Sequence, residues 1–174
     1  SKTITETGVT GWQLTDIDCQ ATSGSADAAN ESLAGTGGST DVTVDPGDAI
    51  TCTYTNKKDA TVTVVKAADP EGPQDFGFTT TGSGLSGFTL DDDGTNTTGG
   101  AAGTVGEFSN SKTFTISAGN FGTKTITETG VTGWQLTDID CQATSGSAEA
   151  ANESLAGPGG STDVSGDPGD AFTC

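Results

Sequence analysis

The sequence predicts an all-β chain made of tandem sandwich domains. Three observations predict it. Apolar residues alternate with polar ones in short runs, the period of a half-buried strand. Clusters of Gly, Pro, Asp and Asn separate those runs as turns do. Residues 1–52 also recur at 123–174, an offset of 122. Only Ser1/Thr123, Asp27/Glu149, Thr36/Pro158, Thr43/Ser165, Val44/Gly166 and Ile50/Phe172 differ. Self-similarity at a fixed period marks an array. A period of 122 residues is too long for one solenoid turn and suits a whole domain.

The expected strands follow in order. They are Lys2–Glu6, Trp12–Asp18, Ala49–Asn56, Thr61–Lys66, Phe76–Thr80, Gly87–Leu90, Lys112–Ser117, Thr123–Glu128 and Trp134–Cys141. Threonine fills most of their outward positions, which its β-branching suits. Turns are expected at Asp-Pro-Gly 45–47 and 167–169, at Glu-Gly-Pro 71–73 and at Ser-Ala-Gly-Asn 117–120. Many short strands with regular turns read as a sandwich or barrel. Three stretches lack periodicity and read as long surface loops: Gln20–Asp41, its copy Gln142–Asp163, and Asp91–Ser111. Ser25 is placed to cap a short helix around Ala26–Leu33. The boundary is expected at Lys57-Lys58-Asp59. It leaves 1–58 as the C-terminal part of one repeat and 59–174 as most of the next, with the last strand supplied from beyond Cys174. The chain opens inside a repeat, so the absence of a signal peptide says nothing of its export route.

Composition narrows the function. Hydrophobic residues are 30% of the chain and aromatics 6%, so the core is thin and needs reinforcement beyond burial. Twenty-four acidic residues against six lysines give a net charge of −18, which repels phosphate backbones and anionic lipid. Nucleic-acid binding is therefore not expected. No stretch approaches the roughly 20 apolar residues of a membrane helix. Histidine is absent, and no phosphate-binding loop, nucleophile elbow or cofactor motif appears, so no enzyme is expected.

The four cysteines recur with the repeat, Cys19 and Cys52, then Cys141 and Cys174, 33 residues apart each time. With no Cys-x-x-Cys and no histidine they do not form a zinc pattern. An even count in an exposed, acidic, Thr-rich array reads as the disulfides Cys19–Cys52 and Cys141–Cys174, in an oxidising compartment.

Parity along the strands adds a second signal. Residues two apart face the same side. Val62, Val64 and Lys66 share one face, Ile126 and Glu128 another, and Ile50, Cys52, Tyr54 and Asn56 a third. In each run a polar residue continues the apolar face. A lone buried lysine is costly, and a lysine, a glutamate and an asparagine meeting in one core offset much of that cost. They are also able to react. A desolvated lysine is a nucleophile, and a protonated carboxyl group polarises the asparagine amide, giving a Lys–Asn crosslink with loss of ammonia.

The strand Val-Thr-Val-Val-Lys 62–66, the strand Ile-Thr-Glu-Thr 126–129 (copied at 4–7) leading to Gly-Trp, and the closing Cys-Thr-Tyr-Thr-Asn 52–56 resemble the Cna B-type, prealbumin-like (SpaA-like) domains. These Ig-like domains build bacterial pilus backbones and adhesin stalks. The resemblance spans essentially the whole unit. It implies Lys66 as nucleophile and Glu128 as catalyst, with the partner asparagine just past Cys174. In the preceding unit it implies Glu6 and Asn56, with their lysine upstream of Ser1.

Weaker signals complete the reading. Asp91 and Asp93 lie in an acidic turn that faintly resembles a calcium loop but has Ala102 at the twelfth position. Asn30, Asn96 and Asn152 fit the glycosylation sequon. Trp12 and Trp134 read as packing anchors rather than a sugar platform. The expected function is a structural unit of an extracellular, cell-surface filament, partnered by neighbouring repeats or copies of itself. Two alternatives stand beside it. One is an adhesin module whose long loops recognise a surface glycan or protein, with avidity from repetition. The other is a subunit polymerised by donor-strand exchange.

Overall fold

The computed structural model describes residues 1–95, 107–146 and 149–174, with the backbone alone for 149–152. The chain divides into two compact units, Ser1–Asp59 and Ala60–Cys174. Among the described residues no helix is long and apolar enough to cross a membrane.

The first unit holds β1 (Lys2–Glu6), β2 (Trp12–Ser23), β3 (Asp27–Ala34), β4 (Gly37–Thr43) and β5 (Ala49–Lys58). They form a three-stranded sheet in the order β1-β4-β3 and a two-stranded β2-β5 ribbon. Leu14, Ile17 and Val42 are its buried hydrophobics.

The second unit holds β6 (Ala60–Val65), β7 (Gly72–Thr81), β8 (Phe88–Asp92), β9 (Ser111–Ile116), a 3-10 turn (Ala118–Asn120), β10 (Lys124–Glu128), β11 (Gln142–Ser145), β12 (Glu149–Ala156), β13 (Gly159–Ser165) and β14 (Ala171–Thr173). Its sheets run β12-β13-β10-β7-β8 and β11-β14-β6-β9. One apolar cluster joins them: Val62 and Val64 of β6, Phe114 and Ile116 of β9 and Phe172 of β14 meet Phe76 and Phe78 of β7 and Ile126 of β10. This is the inward alternation of two packed sheets. The repeated sequence pairs identically in both units: Lys2↔Val42 through Glu6↔Gly38, and Lys124↔Val164 through Glu128↔Gly160.

Four expectations are corrected. Gln20–Asp41 and Gln142–Asp163 are largely strands, not loops: β2 runs on to Ser23, and β3 and β4 form a hairpin, as do β12 and β13. Nearly every β3 side chain is exposed, so backbone pairing rather than burial makes the strand, and no alternation marks it. The helix at Ala26–Leu33 does not form. Ser25 caps nothing; its N–H donates to Asp48 Oδ1 at 3.0 Å. Gly72 and Pro73 open β7 rather than a turn, ahead of a register shift between Gly72 and Phe76. Finally, Trp134–Cys141 is not a strand. Its copy in the first unit is β2, which is a strand because β5 lies against it from Trp12↔Lys58 to Cys19↔Cys52. In the second unit β14 covers only Ala171–Thr173 and pairs with β11 and β6. Of the third loop, Asp91 and Asp92 belong to β8 and Ser111 to β9, while 96–106 lie outside the described residues.

Two glycines at the start of β13 permit close packing. A Cβ on Gly160 would collide with the Ser154 carbonyl oxygen and stand 2.8 Å from Leu136 Cδ2. Gly160→Ala is expected to destabilise this unit by about 1–3 kcal/mol, the usual cost of overpacking. Gly119→Ala, at a site with open space, is expected to stay within about 0.5 kcal/mol. Urea denaturation of both variants checks this.

Candidate functional site

Lys66 follows β6 and continues its inward face; Val62 and Val64 before it are buried, and Lys66 itself is 8% exposed. Its backbone N–H donates to the Asn110 carbonyl oxygen, which fixes the chain as it leaves the sheet. Glu128 ends β10 on the same face as buried Ile126 and is also 8% exposed. Strand parity thus delivers both groups to one place. Lys66 Nζ lies 3.1 Å from Glu128 Oε1 and 3.0 Å from Oε2. The ammonium also sits 4.0 Å from the centroid of the Phe76 ring, a cation–π contact. Phe76 meets Trp134 edge to face at 5.2 Å, so Trp134 packs against the wall of the site. Trp12, its copy, is 40% exposed.

The pair opens on a cavity of about 560 Å³, lined by Val64, Phe78, Ile126, Trp134, Leu136 and Cys174 among others. Trp134–Asp140 form one wall of it. These are the residues whose copies in the first unit carry β5.

The first unit displays the complementary half of the arrangement. Ile50, Cys52, Tyr54 and Asn56 are half-buried and alternate with exposed Thr51, Thr53 and Thr55. Tyr54 donates its hydroxyl to the Ile4 carbonyl oxygen at 3.3 Å. Asn56 Nδ2 donates to Glu6 Oε2 at 3.2 Å, while Asn56 Oδ1 is buried without a hydrogen-bond partner. An unmatched buried amide oxygen is unfavourable and favours any donor brought beside it. Lysine and glutamate therefore meet in the second unit, and asparagine and glutamate in the first.

Both disulfides are formed, Cys19–Cys52 and Cys141–Cys174, each with Cα atoms 4.0 Å apart. Cys19 and Cys52 are directly opposed on β2 and β5. Cys174 is held from its other side as well: its N–H donates to the Thr63 carbonyl oxygen, and its own carbonyl accepts from Val65 N–H.

Lys124 is a further buried lysine, outside the expected set. It shares the buried face of Ile126 and Glu128, two residues back, so strand parity carries its signal. Its Nζ donates to the Asn120 and Gly122 carbonyl oxygens, and burial pushes its ammonium below the ordinary lysine range. It closes the turn before β10 and lies outside the cavity.

The remaining candidates separate by geometry. Asp91 is fully buried on β8, with Oδ2 accepting from Phe108 N–H and Oδ1 without a hydrogen-bond partner. Asp93 Oδ1 accepts from the Thr95 N–H and hydroxyl. Among the described residues no three His, Cys, Asp or Glu side chains are placed to hold a metal ion. Burial raises the Asp91 carboxyl above its ordinary 3.8, and the charges of Asp93, Asp75 and Glu107 add to this. A raised folded value means the native state holds this proton more tightly than the unfolded chain. Stability from this group is therefore present below 3.8 and is lost as pH rises through the folded value. Asp91→Asn is expected to raise the melting temperature at pH 7 and to change it little below pH 3.8. Scanning calorimetry at the two pH values checks the sign.

Asn30 is exposed at positive φ (56°), and its Nδ2 donates to Asp41 Oδ2 at 2.9 Å. Asn96 lies outside the described residues, as does the side chain of Asn152 in β12.

A family model described as a prealbumin-like fold domain, of SpaA type, matches residues 1–58 and 62–174. No curated protein and no solved structure matches the chain.

Proposed function

Because the chain belongs to the SpaA-type prealbumin-like fold domain family, we propose that it is a structural repeat of an extracellular filament, a pilus-like fibre or adhesin stalk. In this reading units of 122 residues follow one another, and each is fastened by a disulfide and by a Lys–Asn bond. The observation that carries it is the buried Lys66–Glu128 pair facing a cavity beside the disulfide. The copy of that place in the first unit holds Asn56 against the copy of that glutamate.

The chemistry follows from the contacts. Lys66 Nζ passes a proton to Glu128 across their 3.0 Å contact. The neutral amine attacks the side-chain carbonyl carbon of an asparagine on the closing strand, four residues beyond Cys174, as Asn56 stands beyond Cys52. The Glu128 carboxyl polarises the amide oxygen. As the new C–N bond forms, the old one breaks. The attacking nitrogen gives up a proton, and the carboxyl relays it to the departing nitrogen, which leaves as ammonia. In this reading the closing strand lies over the cavity and excludes water from the pair, which strengthens these electrostatic contacts.

The cavity also favours a second reading, in which the closing strand comes from a neighbouring copy and adds an edge to the sheet. The adhesin reading depends on long gripping loops, and most of those residues are paired strands.

Electron microscopy of the native protein tests the shaft directly. Thin filaments many units long are expected. A compact particle of one or two units would sink the proposal.

A further inference from the structure

The outward face of the strand that delivers the asparagine does not hold its register. Its outward residues, Thr51, Thr53 and Thr55, are identical two positions apart, so a slip of two residues costs nothing on that face. Its ladder with β2 is already irregular beside the reacting group, with a register shift between Leu14 and Asp16, next to the Leu14↔Asn56 pair. A slip of two residues moves the amide by about 6.5 Å along the strand. Reaction requires the two atoms to be roughly 3–3.5 Å apart. The inward face opposes that slip through non-covalent contacts only: half-buried Ile50 and Tyr54, the Tyr54 hydroxyl on the Ile4 carbonyl oxygen and the Asn56 amide on Glu6.

One covalent contact forbids the slip outright. Cys19 and Cys52 are directly opposed and covalently joined, four residues before Asn56 and on its face of the strand. In the second unit Cys141–Cys174 occupies the same place, and Cys174 is bonded on its other side to β6 through Thr63 and Val65. We infer that each disulfide is a positioning device for the Lys–Asn crosslink: it clamps the closing strand in the one register that brings the asparagine to the glutamate. The disulfide forms first and the amide bond second. This inference rests on the crosslink proposed above.

The test extends the full chain at its C-terminus by its own residues 53–58, Thr-Tyr-Thr-Asn-Lys-Lys, which places an asparagine four residues after Cys174. A second extension places the asparagine two residues later. Intact mass against time reads the loss of one ammonia. With the disulfide closed, the first extension is expected to react and the shifted one not. In the Cys141→Ala/Cys174→Ala background the first extension is expected to react roughly a hundredfold more slowly, the usual effect of a small misplacement. In that same background the shifted asparagine is expected to react at a comparable rate, because the strand is free to slide. A merely stabilising disulfide would not produce that rescue.

Equal rates for the first extension with and without the cysteines would overturn the inference. So would reaction of the shifted asparagine at the parent rate with the disulfide closed, a comparison that holds even if the cysteine-free variant does not fold. No ammonia loss in the parent extension would instead remove the crosslink itself, and the positioning role with it.

Discussion

Replacing Glu128 with alanine is expected to destabilise the second unit by about 3–5 kcal/mol. Lys66 and Glu128 are each 8% exposed, and their charges are matched to one another at 3.0 Å. Removing the carboxylate leaves the ammonium against the Phe76 ring, whose cation–π attraction of roughly 1–2 kcal/mol does not replace lost hydration. The asymmetry of the pair makes the prediction sharp. Lys66→Met combined with Glu128→Leu is expected to be near neutral, because the desolvation of both charges disappears together. Guanidinium unfolding of the single and double variants measures this. A double variant as unstable as the single would mean that the pair itself holds the fold, contrary to the desolvation balance.

The second large effect is expected from the cysteines. Each disulfide closes a separation of 33 residues. In the chain-entropy account a loop of that length stabilises by about 3.7 kcal/mol. For a thin-cored domain this is a large share of a typical total of roughly 5–15 kcal/mol. Cys141→Ala with Cys174→Ala should lower stability by that amount without changing the β-sheet signal in circular dichroism. The ladder contacts of Cys174 to Thr63 and Val65 are backbone bonds and survive the substitution. A loss below about 1 kcal/mol would mean that the β14 ladder alone fixes the chain end.

Parity is the most informative property of the sequence. The alternation alone puts Val62, Val64 and Lys66 on one face, and Ile126 with Glu128 on another; both faces are buried and converge. The same rule, carried one step back along β10, reaches Lys124. The strands that hydropathy does not mark are of two kinds: β4 and β13 bury a face made largely of Gly38 and Thr40 and their copies Gly160 and Thr162, which carry little hydropathy, and others have no buried face. Asp27–Ala34 is exposed at nearly every position, and its place in the sheet comes from hydrogen bonds to β4 that leave no trace in hydropathy. The opposite error at Trp134–Cys141 has a related cause. The pattern is that of a strand, and in the first unit it is one, because β5 lies against it. Amphipathic pattern makes a segment competent to be a strand, and a partner decides whether it is one. No turn forms at 71–73 because Gly72 and Pro73 lie ahead of an irregular step in β7, where a missing donor is tolerated.

The central claim is that the buried lysine becomes half of a covalent bond. Peptide mapping of the native protein by mass spectrometry, reduced and non-reduced, tests it most directly. The expected result is a Lys66 peptide joined to an asparagine peptide of the closing strand with the mass of one ammonia missing, and Cys141 linked to Cys174. A Lys66 peptide recovered free and unmodified, beside an intact disulfide, would contradict it.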